Sequence, residues 1–553
     1  MPGGTSQTLT PFLWRAERLY PDTEIVSRTH EGIERYDYET YGDRTAQLAN
    51  ALEDAGYGDG ERLATFSWNH HRHFETYFGV PGMGAQLHTI NPLLPDGHIQ
   101  HIVDSAADRA IFVDHSFVPK LESAYADDPG SFESVDRYVV MGEAVPDTAL
   151  SPVVAYESFR DGHSTDYDWP QLDGDRRAGM CFTSGTTGKP KGVEYTQRML
   201  WSHTMGMLTP QGLPIADDDV VMPIVPMFHV NAWGIPFAAT AGGAKHVYPG
   251  PQPDPADVAD LIESEGVTIT AGVPTVWLGL MEHMKEAAVD LSSLDTLVVG
   301  GSAAPEAMIR FFDDHDVELL HAWGMTETAP LGSAAHLKGD LQEEAYETQL
   351  GKRTKQGLVL AGLEFRVIDD DGEEVAWNGE DFGELQIRGP WVATEYFDRP
   401  GATEAEFEDG FLKTGDIVTI DEDGYVKIVD RTKDVIKSGG EWISSVELEN
   451  AIMAHEDVAE AAVIGVPHER WQERPLALVI PTEGADPEEL EAEVRDHVSE
   501  EYPKWWLPDT VLTIEEIPKT ATGKFDKKVL RDQYDDASLV EGKAPEDDAP
   551  SED

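Results

Sequence analysis

The sequence predicts an α/β fold with a large N-terminal domain, built from two βαβ-type subdomains and a β-rich subdomain, and a small α+β C-terminal domain. In the first part of the chain, strand-like apolar runs alternate with helix-like segments, which is typical of parallel sheets. From about Gly351, turn pairs such as Asp371-Gly372 and Asp423-Gly424 separate short alternating strands. After Asp430 comes a small α/β unit that ends near Tyr534.

Apolar runs between turn-forming residues predict the individual elements. In the first subdomain we expect strands at 62–67, 86–90 and 110–114, with helices through His73 and Tyr77 and around 98–106. In the second subdomain we expect strands at 267–273, 294–299 and 317–321. Ligands of α/β sheets bind beyond the C-terminal ends of strands. The segments 300–305 and 322–327, which follow two of these strands, therefore lie where a nucleotide could bind.

The length of 553 residues favours several subdomains over a single core. We expect an N-terminal domain over 1–429 and a C-terminal domain over 430–534. The last segment, 535–553, is acidic and contains proline, and its composition predicts disorder.

The charge balance is strongly acidic: 104 Asp and Glu against 41 Lys and Arg give a net charge of −63. Such a surface repels nucleic acid and anionic membranes. The excess is spread along the chain, so we interpret it as a halophilic protein's means of staying soluble in high salt. No apolar run of about 18 residues and no signal-peptide pattern are found, so stable membrane insertion is not expected.

Cys181 is the only cysteine, which excludes an internal disulfide and fits a cytoplasmic location. It lies two residues before a loop of unusual composition. A catalytic thiol is one interpretation, but we expect a buried strand cysteine.

That loop, from Thr183 to Gly192, reads T-S-G-T-T-G-K-P-K-G. Hydroxyls, glycines and lysines at this density predict a loop that wraps phosphate oxygens. It is not a Walker A loop, which needs Gly-x4-Gly-Lys-Ser/Thr. The alternative is a mobile surface loop, which would not need two lysines. The predicted phosphate-binding residues are Thr183, Ser184, Gly185, Thr186, Thr187, Gly188, Lys189 and Lys191.

Six further segments follow in order along the chain: P-M-F-H-V-N-A-W at 226–233, W-G-M-T-E at 323–327, K-T-G-D at 413–416, D-R-T-K-D at 430–434, S-G-G-E-W-I at 438–443 and P-K-T-A-T-G-K at 518–524. With the loop, they resemble the motifs of the adenylate-forming (ANL) superfamily of acyl-CoA synthetases, luciferases and peptide-synthetase adenylation domains. Within it, the chain is most similar to fatty acyl-CoA synthetases, that is, long-chain-fatty-acid–CoA ligases. With the acidic composition, this suggests a halophilic archaeon as the source.

The resemblance implies an ATP-dependent ligase that joins a carboxylate to the α-phosphate of ATP, releases pyrophosphate and passes the acyl group to CoA. Cations must gather where these negative groups meet, and Lys189 and Lys191 can neutralise pyrophosphate. By resemblance Thr326 contacts the α-phosphate, and Glu327, with Thr183, holds Mg²⁺. Alternatively, Glu327 is an acid at a helix N-terminus.

By the same resemblance, Trp323 lies flat against adenine, where relatives usually carry Tyr. Asp416 accepts hydrogen bonds from the ribose diol, unless it is simply a turn-forming Asp, and Arg431 reaches the ribose or phosphate. The other residues expected to contact the nucleotide are Gly301, Ser302, Ala303, Ala304, Ala322 and Gly324.

Lys524 is implied to bridge the substrate carboxylate and the α-phosphate; the alternative is a solvated loop lysine. Its neighbourhood is basic in an acidic chain, which suggests an anionic ligand: Lys519, Lys527, Lys528 and Arg531 face Asp526 and Asp532. The resemblance also implies that the C-terminal domain is mobile and rotates about Asp430, so that one pocket runs both half-reactions. The rotation would bring up the CoA-binding residues Lys437, Gly439, Gly440, Glu441 and Trp442.

Phe228 is followed by His229, where amino-acid-activating relatives carry Asp, so an α-amino acid substrate is disfavoured. Trp233 resembles a gate residue of long-chain synthetases, or else is a fixed core tryptophan. The predicted acyl-site residues are His229, Val230, Trp233, Gly301 and Gly324. We expect a long-chain fatty acid, with a medium-chain acid next; a branched or aryl acid, or a catalytically silent adenylate-binding regulator, stays open. Analogy with long-chain relatives suggests a homodimer.

Two further features are ambiguous. Gln197 stands where relatives usually carry His, which puts any role of that His in the acyl pocket in doubt. His70 and His73 have the i,i+3 spacing of a metal-binding pair, but no second ligand pair is near in sequence, and we expect no metal there.

Overall fold

The computed structural model describes residues 7–183, 189–438, 441–455, 457–482, 484–486, 490–499, 502–519, 525–534 and 536–540. Of the predicted acidic tail, only 536–540 belongs to these residues; there a short 3₁₀ turn, Ala537–Leu539, precedes the fully buried Val540.

The helices and strands are as follows. Up to residue 207 they are α1 (Thr10–Leu19), β1 (Glu24–Thr29), β2 (Gly32–Asp37), α2 (Tyr38–Asp54), β3 (Arg62–Phe66), α3 (His71–Gly82), β4 (Gln86–Thr89), α4 (Asp96–Ala106), β5 (Ala110–Asp114), α5 (Val118–Asp127), β6 (Arg137–Met141), β7 (Val153–Ala155), α6 (Tyr156–Arg160), β8 (Arg177–Phe182), β9 (Gly192–Thr196) and α7 (Gln197–Met207). From there to residue 359 they are β10 (Val220–Pro223), α8 (Ile235–Gly242), β11 (Lys245–Tyr248), α9 (Pro255–Glu265), β12 (Ile269–Gly272), α10 (Pro274–Glu286), β13 (Thr296–Val299), α11 (Glu306–Asp313), β14 (Glu318–Gly324), β15 (Leu331–Ala334), α12 (Tyr346–Arg353) and β16 (Leu358–Val359). The remainder are β17 (Glu364–Ile368), β18 (Phe382–Arg388), α13 (Pro400–Glu406), β19 (Phe407–Glu408), β20 (Phe411–Ile420), β21 (Val426–Arg431), β22 (Ile436–Ser438), β23 (Glu441–Ile443), α14 (Ser445–Met453), β24 (Val458–His468), β25 (Gln472–Pro481), α15 (Leu490–Val498), β26 (Thr510–Thr513) and α16 (Lys527–Tyr534).

Within the described residues these strands form four sheets. The first runs β7-β6-β5-β3-β4-β8-β9 and is parallel except for its last pair. The second runs β16-β15-β14-β13-β12-β10-β11-β1-β2, with a parallel centre and antiparallel edges. The third joins β17, β18, β20, β19 and β21 in antiparallel order, and the fourth, in the C-terminal domain, joins β22 to β26. The predicted α/β architecture is confirmed.

Parallel strands covered by helices are buried on both faces and carry continuous apolar runs. Strand β5, Ala-Ile-Phe-Val-Asp, is buried along its whole length, as that rule requires. The predicted strands of the first subdomain lie where expected. In the second subdomain the prediction ended strand β14 too early. It continues through Trp323 and Gly324, because strand β15 pairs with its last residues and extends it.

The histidines near the start of α3 serve the fold. His70 precedes the helix, and its side chain accepts the backbone N–H of His73. Its Nε2 lies 3.1 Å from Asp114 Oδ2. The ring nitrogens of His73 lie 2.9 Å from the Trp68 carbonyl and 2.9 Å from Thr65 Oγ1. These contacts make His70 a helix cap and His73 a core residue.

Several histidines are buried in the neutral form. Burial lowers the pKa of His73, His203 and His246 to about 3. A group whose pKa is lower in the folded state binds its proton more readily when unfolded, so the free energy of unfolding falls as the pH falls below the ordinary pKa. Across about pH 6.5 to about pH 5, each such histidine costs about 2 kcal/mol.

We therefore expect His246→Phe to reduce the acid sensitivity of the fold. His246 stacks on Tyr248, and a phenyl ring can keep that stack without a titrating nitrogen. Urea unfolding at about pH 7 and about pH 5 should show a loss of stability smaller by about 2 kcal/mol than in the wild type. His315→Gln, at an exposed position, is the control and should leave the difference unchanged. Equal pH dependence of wild type and His246→Phe would contradict the explanation.

Candidate active site

The described residues surround a cavity of about 940 Å³ between the N-terminal subdomains and the C-terminal domain. The sequence-predicted residues that line it are Thr183, Lys189, Lys191, His229, Val230, Trp233, Gly301, Ala322, Trp323, Gly324, Thr326, Glu327 and Arg431. Other predicted residues of the described part lie outside its lining: Ser302, Ala303, Ala304, Asp416, Lys437 and Trp442. Ser184, Gly185, Thr186, Thr187, Gly188, Gly439, Gly440, Lys524 and the side chain of Glu441 lie outside the described residues.

The predicted phosphate-binding loop connects strands β8 and β9. The Thr183 N–H donates to the Lys191 carbonyl at 2.9 Å, and the Lys191 N–H donates to Thr183 Oγ1 at 3.1 Å. Lys191 Nζ lies 3.3 Å from Glu406 Oε1 and 4.0 Å from the centre of the Tyr396 ring. The sheet thus directs a lysine into the cavity, where a carboxylate and an aromatic face hold it.

Glu327 lies in the 3₁₀ turn Thr326–Thr328, just after strand β14, and its side chain is buried. The Tyr396 hydroxyl donates to Glu327 Oε1 at 2.7 Å, and the Tyr195 hydroxyl donates to the Thr326 carbonyl at 2.7 Å. Burial raises the pKa of the Glu327 carboxyl, and the Tyr396 hydrogen bond opposes the rise. The acid is therefore a buried part of the cavity wall and not an exposed residue at a helix start.

Asp416 lies beneath the cavity wall. Its side chain is 1% exposed, and the Trp323 indole N–H donates to its Oδ2 at 2.9 Å. Arg431, its neighbour across strands β20 and β21, brings Nε to 2.7 Å from Oδ1 as an ion pair without a directed hydrogen bond. The expected ribose contact therefore requires Arg431 to give way, which the sequence did not indicate.

The acyl motif follows an unusual backbone path. Val230, Asn231, Ala232 and Trp233 have φ angles of 38°, 58°, 46° and 58°, in the left-handed region. Non-glycine residues pay about 1 kcal/mol each for this conformation, and such strain persists only where the surroundings impose it, often at ligand sites. The turn places the Trp233 ring against Gly300, where an added Cβ would lie 3.0 Å from it.

Beyond Trp233 the cavity continues as an apolar arm, a name we use for the part lined by Met207, Gly212, Leu213, Ile224, Val225, Pro226, Val273, Val276, Val298, Leu320, Pro330, Leu331 and Ala334. The lining of one cavity therefore includes both charged groups and a large apolar surface.

In the C-terminal domain, Phe525, Asp526 and Lys528 line the cavity. The predicted CoA-binding residues instead contact the β-rich subdomain: Lys437 Nζ lies 3.2 Å from Asp370 Oδ2, and the Trp442 ring centre lies 5.2 Å from that of Phe382. Among the described residues, the structure thus presents 525–528, and not Lys437 or Trp442, to the cavity.

The basic excess around Lys524 is largely neutralised within the domain. Lys527 is buried 2.7 Å from Glu449, Arg531 pairs with Asp434 at 2.6 Å, and Lys519 pairs with Glu460 at 2.7 Å. These partners are distant in sequence, so local charge did not reveal them; Lys527 and Arg531 also line the cavity.

Two side chains have structural roles only. Cys181 is buried 3.0 Å from Thr89 Oγ1, and burial raises the pKa of its thiol to about 11, which fits the strand cysteine that we expected. Gln197 is buried outside the cavity lining: its Oε1 accepts the Leu9 N–H at 3.0 Å, and its Nε2 donates to the Pro81 carbonyl at 2.8 Å. It joins three helices and does not form part of an acyl pocket.

Sequence reasoning missed Tyr396, Glu406 and Glu384, which all line the cavity. Tyr396 lies shortly before helix α13 and Glu406 is the last residue of that helix; none of the three belongs to the motifs identified above. Only their contacts reveal them.

Comparison with known proteins agrees with this geometry. The model of the AMP-binding enzyme family matches residues 13–397, and that of the AMP-binding enzyme C-terminal domain matches residues 447–524. This chain belongs to the AMP-binding enzyme family. An anthranilate CoA ligase solved with anthranoyl-AMP shares the fold, with a TM-score of 0.84 at 23% identity over 97% of this chain and 98% of that one.

Curated relatives of the family match almost the whole chain. A long-chain-fatty-acid–CoA ligase of Thermus thermophilus is 44% identical over 95% of either chain. A 3-methylmercaptopropionyl-CoA ligase of Ruegeria lacuscaerulensis is 40% identical over 96% of this chain and 97% of its own. A medium-chain-fatty-acid–CoA ligase of Ectopseudomonas oleovorans is 40% identical over 95% of each. The family member described here is accordingly an AMP-forming acid–CoA ligase.

In the part of the chain that the structure describes, we find no helix both long and apolar enough to cross a bilayer.

Because Gln197 makes two buried hydrogen bonds outside the cavity, we expect Gln197→Leu to destabilise the fold without changing substrate choice. The free energy of unfolding should fall by about 2 to 4 kcal/mol, since two backbone groups lose their partners. The ratio of rates with long and short acids should stay at the wild-type value. A changed ratio would place Gln197 in the acyl site after all.

Proposed function

We propose that the protein is an ATP-dependent acyl-CoA ligase that prefers long-chain fatty acids and forms acyl-CoA, AMP and pyrophosphate through an acyl-adenylate. The observation that carries the proposal is a single cavity whose lining combines Lys191 and Glu327 with the residues of the apolar arm. A fatty acid has the same division, a carboxylate on an alkyl chain. Each CH₂ group buried in the arm contributes about 0.8 kcal/mol, so a longer chain binds more tightly until the arm is full.

The relatives leave the chain length open. One is named for long-chain and another for medium-chain fatty acids, at 44% and 40% identity. A medium-chain acid is therefore the main alternative, followed by a branched or aryl acid. A silent adenylate-binding regulator is disfavoured because the buried Glu327 and the cavity lysines are retained.

The roles proposed at the phosphate end follow from charge and position. Lys189 and Lys191 neutralise the leaving pyrophosphate, and Thr326 contacts the α-phosphate. Glu327 and Thr183 offer hard oxygen atoms in the cavity lining, which is the donor chemistry that Mg²⁺ prefers, so both fit the ion. When bound, Mg²⁺ would supply positive charge to the phosphates. The loop residues between Thr183 and Lys189 would complete the phosphate contacts.

The remaining roles concern the nucleoside and the moving domain. Trp323 packs on adenine. Asp416 accepts hydrogen bonds from the ribose diol once Arg431 moves aside. Lys524 bridges the carboxylate and the α-phosphate; the cavity lining by Phe525 and Asp526, which follow it, supports this role. Rotation about Asp430, between domains 1–429 and 430–534, would bring Lys437 and Trp442 to the adenylate. The acidic composition supports the proposal that the enzyme acts in high salt. The homodimer and the cytoplasmic location stay predictions.

Acid-dependent ATP–pyrophosphate exchange tests the function. Acids from acetate to stearate, and benzoate, are compared, and CoA-dependent AMP release is measured next. We expect exchange to rise with chain length. If none of the acids supports exchange, the regulator is favoured. If the highest rate is found with acetate or benzoate, the long-chain preference is excluded.

Lys524→Ala separates the two half-reactions. Exchange should fall about 100-fold or more, because the cation at the reacting groups is lost. Thioester formation from supplied acyl-adenylate should stay close to wild type, because that step uses the rotated domain. Lys519→Ala, which removes an ion pair of the same segment, is the control. Equal loss in both half-reactions would contradict the domain rotation.

Leu213→Trp should shorten the preferred acid, because the larger ring fills part of the arm. Excluding two CH₂ groups costs about 1.6 kcal/mol, so kcat/KM for a long acid should fall about tenfold while that for butyrate is kept. Leu278→Trp, the same change at an exposed position, is the control. If long and short acids lose equally, the arm is not the acyl site.

A further inference from the structure

Tyr396 connects the two charged groups at the phosphate end. Its hydroxyl donates to Glu327 Oε1 at 2.7 Å, while its ring centre lies 4.0 Å from Lys191 Nζ. The carboxylate comes from the turn after β14 and the ammonium from the residue just before β9, so Tyr396 joins side chains from two sheets at this point.

We propose that Tyr396 is a positioning residue of the nucleotide site, which orients Glu327 towards the divalent cation and Lys191 towards the phosphates. The inference rests on the proposed function, which gives Glu327 and Lys191 those ligands. It adds a residue from outside the recognised motifs.

Tyr396 is itself held firmly. Its side chain is 4% exposed, its N–H donates to Thr403 Oγ1 at 3.0 Å, and its carbonyl accepts the Arg399 N–H at 3.3 Å. The Phe407 ring packs edge-on, 5.7 Å away. A residue anchored on both backbone sides and packed on its ring can transmit a fixed position to what it touches.

The phenol suits both partners. A buried carboxylate is costly unless hydrogen-bonded, and a neutral O–H donor satisfies one oxygen without cancelling the charge that a cation needs. Mg²⁺ demands near-ideal octahedral geometry, so a carboxylate held in one rotamer binds it better than a free one. The face of the ring attracts the Lys191 ammonium without competing for its protons as strongly as a second carboxylate would.

Lys191 has a further partner in Glu406, 3.3 Å away. Ring and carboxylate together limit the directions that the ammonium can take. The hydroxyl of Tyr396 thus serves Glu327, and its ring serves Lys191, so the two effects separate in two variants.

The test compares wild type, Tyr396→Phe and Tyr396→Leu. Mn²⁺ binding in the presence of a non-hydrolysable ATP analogue is followed by electron paramagnetic resonance, and binding of the analogue without metal by calorimetry. Tyr396→Phe should weaken Mn²⁺ binding about tenfold, as expected for a lost hydrogen bond to a charged group, and leave metal-free nucleotide binding unchanged. Tyr396→Leu should weaken Mn²⁺ binding as much and, by removing the ring, also weaken nucleotide binding about threefold.

Tyr38→Phe is the matched control, because it removes a buried hydroxyl that donates to the Ala244 carbonyl at 2.9 Å, outside the cavity lining. It should change neither affinity. In a Glu327→Gln background, Tyr396→Phe should cause no further loss of Mn²⁺ binding. Unchanged Mn²⁺ affinity in Tyr396→Phe, or an equal loss in Tyr38→Phe, would overturn the inference and leave the proposed function intact. Failure of the wild type to bind the analogue at all would instead overturn the proposed function.

Discussion

Two buried carboxylates, Glu327 in the wall of the cavity and Asp416 beneath it, are the constraint on which the arrangement depends. Each is satisfied in the same way, by an aromatic donor and a nearby cation: Glu327 by Tyr396 with Lys191 beyond the ring, and Asp416 by Trp323 and Arg431. An isolated buried charge costs far more than a paired one. The elements that supply these partners therefore have to pack against one another at this point, and the cavity lies between them.

The length of strand β14 is what provides Asp416 with its aromatic donor. Strand β15 folds back on it and prolongs it through Trp323, which brings the indole N–H to Asp416 of the β-rich subdomain. On the opposite side, the left-handed turn at 230–233 places Trp233 against Gly300, between the polar end and the apolar arm. Four residues with left-handed backbone and two buried carboxylates thus lie at or beside one cavity, as expected of a site that is organised before its ligands arrive.

The C-terminal domain also contributes residues to the lining of the cavity. Lys437 and Trp442 rest on the β-rich subdomain, while residues 525–528 line the cavity. Asp430, near the end of strand β21, is buried and accepts two hydrogen bonds from Ser445, at the start of α14. Residues 525–528 and the pair Lys437 and Trp442 therefore contact different parts of the N-terminal domain.

By itself, the sequence determined the α/β class, the order of the subdomains, the family and many of the polar residues of the cavity lining. These depend on short-range patterns: apolar runs that form parallel strands, and a loop rich in hydroxyls, glycines and lysines. Only the tertiary structure decided the partners of each charge. It showed that Tyr396 holds Glu327, that Arg431 covers Asp416, that Glu449 neutralises Lys527 and that Gln197 joins helices. Such pairs are separated by many residues in the chain, and which residues meet is set by sheet packing, which leaves no periodic trace in the sequence.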